Sequence, residues 1–248
     1  MSDPDAPAPG ARQRPSLHAR VARIYDHCAD TRSLFLTVTA GALPRFLPGM
    51  FISIAIPLTG DTRVRPYTIA SSPEDGGPFE ICFNRVPGGA GAAWLFDRVV
   101  GDELNFTGPF GTFTLERAPA AETILIAEGT AIAPIRPMLR RALAGTPTHP
   151  IALLYAADRP EHLLYAGEFE RMAAARAEFH FEPLIGAGHD SSALYARLLD
   201  EIRRRWVAAD TDRSRQFYIC GVGKGVLALR DLLRAAGYER RAVHYEQW

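Results

Sequence analysis

Several things are missing from this sequence, and each absence excludes a class of protein. Its 248 residues hold only three cysteines, Cys28, Cys82 and Cys220, far apart and one short of the four thiolates of a plant-type iron-sulfur cluster. Redox chemistry here needs another cofactor. Charge of one sign is missing too, because 28 basic side chains meet 28 acidic ones for a formal net charge of +0. That leaves no electrostatic footprint for a nucleic-acid binder or a polybasic membrane anchor. No uninterrupted apolar run nears the roughly 18 residues that cross a bilayer, and the polar, proline-rich start is unlike a secretory signal. The expectation is a cytoplasmic, soluble protein without nucleic-acid or membrane partners. The 7 histidines fall at no recognisable metal spacing and no segment repeats, so neither a metal centre nor a repeat array is expected.

What is present divides into two patterns. Residues 1–16, rich in Pro, Ala and Asp, carry no apolar period and read as a disordered tail. From 17 to 117, runs suited to strands follow one another: LHARVARIYDHC, RSLFLTVTA, MFISIAIP, RPYTIA, FEICFNRV, ELNFTGPF and TFTLE. Turn residues punctuate them closely, as an antiparallel barrel or sandwich requires. From 122 to 248, apolar runs such as TILIAE, IALLYAA, FHFEPLI and QFYICG alternate with helical patterns such as APIRPMLRRALAG and GVLALRDLLRAAG. That alternation predicts a parallel α/β sheet of nucleotide-binding type. The boundary falls in ERAPAAE, residues 116–122. The expected fold is an all-β antiparallel barrel domain followed by an α/β parallel-sheet nucleotide-binding domain.

Chemistry concentrates at a few strand ends. In RPYTIASSP, residues 65–73, Arg65 and Tyr67 emerge on one face of a strand, a cation beside a flat aromatic, with the hydroxyl of Thr68 next door. Taken alone, the stretch equally suits an edge strand with a solvated Arg and a half-buried Tyr. Three glycine-bearing turns shift that balance: VPGGAGAAWLFDRV at 86–99, AEGTAIAPIRPML at 127–139 and YICGVGKGV at 218–226. Each leaves backbone amides free at a helix start, where glycine lets an anionic ligand approach. A parallel sheet binds ligands beyond the carboxyl ends of its strands, so the two turns in the second half define a cleft.

Taken in order, RPYT, PGG before a helix, GPFG, GT-x-IAP, YICG and an aromatic C-terminus resemble the ferredoxin-NADP reductase family of flavoproteins over residues 17–248. The resemblance implies a barrel that binds FAD, rather than FMN, and an α/β domain that binds NAD(P)H. It implies that Arg65 pairs with the FAD pyrophosphate, Tyr67 stacks on the isoalloxazine and Thr68 bonds near flavin N5, with Pro66 in the same motif. Phe83 and Asn84 line the flavin site, and Gly88 and Gly89 take the pyrophosphate. Gly129, Thr130, Cys220 and Gly221 fall to the nicotinamide side, while Glu246 and Trp248 sit at the flavin. Thr68, Cys220 and Glu246 are the residues carried over to the reacting centre. Read without the resemblance, Cys220 is a small buried strand-end residue, and Glu246 and Trp248 belong to a solvated chain end.

The implied activity moves hydride between NAD(P)H and FAD and single electrons to or from a carrier such as ferredoxin, flavodoxin or an oxygenase component. A free flavin or quinone reductase, and a non-catalytic regulatory subunit that keeps the fold, are the alternatives. Three departures bear on the last of these: Ala92 stands where the family has Ser or Thr, Ala131 where it has Gly, and Val226 where it has Met. NADH is expected over NADPH, because Pro183 to Gly188 lack the Ser-Arg or Thr-Arg pair that holds a 2'-phosphate. Arg159 and Arg197 are the other candidate cations. The triplet Arg203 to Arg205 reads as a solvated helix face, or as a docking patch for an acidic carrier.

Overall fold

The computed structural model describes residues 16–86, 88–186, 191–208 and 213–248. Residues 1–15 of the expected tail, Pro87 of the Pro-Gly-Gly turn, and Ala187, Gly188 and His189 fall outside them. The first half forms β1 (Leu17–Cys28), β2 (Thr31–Val38), β3 (Phe51–Leu58), β4 (Asp61–Thr68), β5 (Phe79–Asn84), α1 (Ala90–Phe96) and β6 (Glu103–Phe110). Its six strands make one antiparallel sheet in the order β4-β3-β6-β1-β2-β5. Period-2 alternation turns Ile52, Ile54 and Ile56 of β3 inward against Leu34, Leu36 and Ile81. The sheet curls until its two edges touch. Beyond β4, Ile69 bridges Ile81 of β5, and the Ala70 N–H donates to the Glu80 carbonyl at 2.8 Å. The expected barrel is thus closed at one point rather than along a full ladder.

The second half adds β7 (Thr123–Glu128), α2 (Ile132–Ala142), β8 (Ile151–Ala157), α3 (Ala166–Ala175), β9 (Phe179–Ile185), α4 (Ser191–Ile202), β10 (Gln216–Gly221), α5 (Lys224–Ala235) and β11 (Val243–Gln247). The strands run parallel in the order β11-β10-β7-β8-β9. Both faces are covered, so the central strands read as unbroken apolar runs. Leu125, Leu153 and Tyr155 pack under α2 and α3, whereas Ile124, Ile126 and Leu154 pack under α4 and α5.

The run TFTLE is not a strand. Its alternation comes from burial between the two halves: Phe113 and Leu115 are 7% and 4% exposed and lie in one cluster with Leu125, Leu139 and Ala70. The approach is tight at Gly49, where a Cβ would lie 2.1 Å from the Phe113 carbonyl oxygen. Arg136 of α2 sits beside this cluster. Its Nη1 donates to Glu80 Oε2 at 2.7 Å and to the Ala70 carbonyl at 3.1 Å, and its Nε donates to Glu168 Oε2 at 2.9 Å. Ser33 and Tyr165 hydroxyls donate to Glu80 Oε1 at 2.6 and 2.7 Å.

Burial alone would raise the Glu80 pKa, but Arg136 and those hydroxyls outweigh it and hold the carboxyl below 4.5. A depressed folded pKa gives stability that is complete above the usual carboxylate range and is lost as pH falls through the folded value. Removing one partner strands the other as a buried charge. Arg136→Ala is therefore expected to lower the unfolding free energy by about 3–5 kcal/mol in urea titrations near neutral pH. The stability gap between wild type and Glu80→Gln should narrow as pH falls below 4.5.

Candidate active site

Where the two sheets face each other, two cavities open side by side. The smaller, about 430 Å³, is lined by Arg65, Pro66, Tyr67, Thr68, Phe83, Asn84, Gly88, Gly89, Thr130 and Trp248. Ten residues singled out in the sequence therefore share one wall. The larger, about 920 Å³, takes in Asn84, Gly88, Gly89, Glu128, Gly129, Thr130, Asp158 and Val222. Four residues of the first set also belong to the second, and the cavities adjoin along Asn84, Val86, Gly88, Gly89, Ala90, Thr130 and Val222.

Local sequence explains the smaller cavity. β4 is an edge strand, where Pro66 deprives the ladder of no needed donor. Arg65 is exposed and its Nη1 reaches the Val64 carbonyl at 3.0 Å. Tyr67 meets Phe83 edge to face at 5.7 Å, and Phe83 meets Phe96 at 5.4 Å, so the flat wall is braced from behind. Burial pushes the Tyr67 phenol up to about 12, against a smaller opposing effect of Arg65, and it stays a hydroxyl. Gly91 brings α1 down on this wall: a Cβ there would lie 3.0 Å from Ile56 Cδ1 and 3.4 Å from Arg65 Cγ. Gly88, at φ +73, supplies the left-handed turn ahead of the helix. Thr68 is buried and lines the same cavity.

Across the gap, the Thr130 hydroxyl donates to Asn84 Oδ1 at 3.3 Å. Cys220, Gly221 and Glu246 line neither cavity; they lie behind Trp248 at the ends of β10 and β11. Trp248 is held at three points. Its indole N–H donates to Cys220 Sγ at 3.3 Å, its backbone N–H to the Gly221 carbonyl at 3.1 Å, and its carbonyl accepts from Gly223 N–H at 3.4 Å. Its ring stands edge to face with Phe51 at 6.3 Å. Burial, with Glu246 beside it, drives the Cys220 thiol far above its usual value, so it is a protonated group and no nucleophile.

The oxidoreductase FAD-binding domain pattern matches residues 18–115, and the oxidoreductase NAD-binding domain pattern matches residues 125–227. The chain belongs to the ferredoxin-NADP reductase family of FAD flavoproteins. A ferredoxin-NADP reductase from Sorangium cellulosum is 29% identical over 242 residues, 95% of this chain and 99% of that one. A glycine betaine monooxygenase reductase subunit from Pseudomonas aeruginosa is 28% identical over 230 residues, but this chain spans only 63% of its length. Among solved structures, a cytochrome P450 reductase from Amycolatopsis superposes with a TM-score of 0.79 at 26% identity, over 99% of this chain and 73% of that one.

The residues of this flavoprotein fit the two groups its domains bind. The smaller cavity offers an aromatic wall, a guanidinium free of any carboxylate among the described residues, and glycines where backbone and ligand meet. Of the three departures from the family motifs, Ala92 and Ala131 line that cavity, while Val226 is fully buried, packed 3.0 Å from where a Gly221 Cβ would stand.

Sequence reasoning missed two features. Cys28, Asp30 and His162 bring donor atoms within 4.8 Å of one another, although 28 and 162 lie in different halves of the chain. Arg159 Nη2 lies 2.9 Å from His162 Nε2 and 3.2 Å from Asp30 Oδ2, so a guanidinium is the cation of this cluster. The second is Glu128, at the end of β7 before Gly129 and Thr130.

Glu246 carries a pH signature. Burial raises its carboxyl from 4.5 to about 7, and its Oε2 has no hydrogen-bond partner. A carboxyl with a raised folded pKa favours folding while protonated and costs stability as pH rises from the unfolded to the folded value. Glu246→Gln should therefore gain thermal stability on wild type between pH 4.5 and about 7 and run parallel to it above. A constant offset across that range in calorimetry would contradict this.

Proposed function

We propose that the protein passes electrons between a pyridine nucleotide and a separate one-electron carrier, such as ferredoxin, flavodoxin or an oxygenase component, through FAD. The observation that carries this reading is the Thr130–Asn84 hydrogen bond, which joins the nucleotide turn of one sheet to the flavin-side strand end of the other. FAD, when bound, supplies the conversion between paired and single electrons. The chain supplies position. Arg65 and the Gly88–Gly89 amides hold a pyrophosphate, Tyr67 and Phe83 present a flat apolar surface, and Thr68 offers a hydroxyl at the buried end of it. Pro66 and Asn84 complete that wall. Gly129 and Thr130 receive the nicotinamide side, with Cys220 and Gly221 shaping it from beneath Trp248. Burial brings the proton exchange of Glu246, behind Trp248, toward neutral pH.

Trp248 covers the nicotinamide side of the smaller cavity, so its ring must turn aside for the nucleotide to enter. Its stacking, about 1–3 kcal/mol by analogy with base–aromatic pairs, is subtracted from nucleotide affinity. The names of the Sorangium and Pseudomonas relatives, a ferredoxin-NADP reductase and an oxygenase reductase subunit, support the same role for this chain.

The purified protein should be yellow, bleach anaerobically with NADH or NADPH, and reduce a ferredoxin or flavodoxin. A colourless protein that refuses added FAD would sink the proposal, and turnover of free flavin or quinone with no carrier protein would favour the other enzyme reading. Arg65→Ala should weaken FAD binding by about 1.5–3 kcal/mol in fluorescence titrations of the apoprotein. Trp248→Ser should tighten NAD+ binding with FAD retained. An unchanged flavin spectrum and unchanged nucleotide affinity would place Trp248 off the nucleotide path.

A further inference from the structure

The turn between β1 and β2 meets the loop after β8 on the wall of the larger cavity, and three kinds of donor converge there. Cys28 closes β1, Asp30 sits in the turn, and His162 ends a short helical turn 132 positions after Asp30. The Cys28 thiol donates to Asp30 Oδ1 at 3.1 Å, His162 Nε2 lies 3.0 Å from the same oxygen, and the three donor atoms fall within 4.8 Å of one another. All three side chains are half-buried, and Asp30 and His162 line the cavity. A path from solvent therefore reaches them.

The hydrogen bonds mark this spot as a seat for a cation. Asp158 Oδ1 lies 2.5 Å from His162 Nδ1, and a carboxylate only accepts, so the ring carries its proton on Nδ1. A guanidinium only donates, so Arg159 Nη2 at 2.9 Å requires a bare Nε2. Two acceptors, that Nε2 and Asp30 Oδ1, then face each other at 3.0 Å, and a positive charge beside them is what reconciles them. Burial opposes ionisation of Asp30, yet bonds with Cys28, His162 and Thr31 bring its pKa down to about 2. Arg159 supplies the charge, with Nη2 at 3.2 Å from Asp30 Oδ2. It fits poorly, because its own Nε is buried without a hydrogen-bond partner among the described residues. It also has somewhere else to go, since Glu161 Oε1 stands 3.4 Å from its Nη1.

We propose that Cys28, Asp30 and His162 form a binding site for a divalent cation of the zinc class, which displaces Arg159 and clips the β1–β2 turn of one half to the β8 loop of the other. Thiolate, imidazole and carboxylate together suit zinc, whereas magnesium and calcium take oxygen. Three protein ligands leave the fourth tetrahedral position to water. Asp158 already stands behind the imidazole, where an acceptor fixes the tautomer and raises the basicity of a ligating histidine. On binding, the Cys28 S–H bond breaks, its proton leaves to water and the sulfur ligates as thiolate, with no change of oxidation state. Arg159 turns to Glu161. The clip is a tie between the halves additional to Arg136, and it is independent of how flavin and nucleotide are held.

The test uses the FAD-loaded protein without an affinity tag, stripped with a chelator, dialysed and titrated calorimetrically with Zn2+. One ion per chain should bind, and Co2+ in its place should add thiolate charge-transfer absorption to the difference spectrum. Cys28→Ser and His162→Gln should each weaken Zn2+ binding by at least about tenfold, and Asp158→Asn, which touches no metal, by about tenfold through the imidazole. Cys28→Ser should also erase the cobalt band. Arg159→Gln removes no ligand and should tighten binding, a result that does not depend on a ligand variant folding. The flavin spectrum and metal-free melting temperature read folding in each case. Zn2+ at about 100 times its dissociation constant should raise the wild-type melting temperature by about 5 °C and leave that of Cys28→Ser where it was. No uptake at millimolar Zn2+, uptake that Cys28→Ser and His162→Gln leave unchanged, equal binding of Mg2+, or no tightening in Arg159→Gln would each overturn the site.

Discussion

One guanidinium holds the two halves of this molecule in register. Arg136 is 9% exposed, and it bonds at once to the strand that ends in Asn84, through Glu80, and to the segment after β4, through the Ala70 carbonyl. It belongs to α2, the helix that begins just after Gly129 and Thr130. The nucleotide turn and the flavin-side strand end are thus fixed to each other through a buried charge. Such a pair contributes little net stability against an apolar replacement, but its geometry admits few alternatives. Arg140 extends the connection to Glu168 at 2.7 Å and Asp75 at 2.9 Å on the rim.

The cleft that results has opposite characters on its two sides. The smaller cavity meets a ligand with Arg65, aromatic rings and backbone amides, which suits a flat molecule carrying phosphates. The larger meets it with charges of both signs, Asp30, Glu128 and Asp158 beside Arg85 and Arg159, and with the hydroxyls of Thr31 and Thr130. Thr130 and Asn84 stand on the boundary. The division follows topology, since loops after antiparallel strands and the carboxyl ends of parallel strands are brought to one line.

Much of this was legible in the chain. Arg65 and Tyr67 were placed on one face by strand periodicity, and glycine turns before helices marked where backbone would meet ligand; the cavity linings bring those residues together. The order of fold elements followed from apolar runs alternating with helical patterns. TFTLE misled because alternation records burial, and burial between two halves looks the same as burial against a sheet. Nothing local marks Glu128, because the hydroxyl that approaches it belongs to Tyr195, 67 positions away. The Asp30–Arg159–His162 cluster was invisible for the same reason: its members are separated by 129 to 132 positions and meet only after both sheets dock. Glu246 and Trp248 read ambiguously because a chain end is normally solvated, and here the main chain of Trp248 is tied to Gly221 and Gly223.

The shared apolar cluster has a bearing on how such a protein can be recombined. Ala70, Cys82, Phe113 and Leu115 come from the barrel half, yet they pack with Leu125, Leu139 and Tyr155 of the other. The stretch around 116–122 looks like a linker, but a cut there parts two surfaces that were never finished for water. A chimera that exchanges only the parallel sheet would have to bring complementary partners for Phe113 and Leu115, and a matching acid for Arg136, or leave the donor module with an exposed apolar face. The interchangeable unit is the pair of sheets.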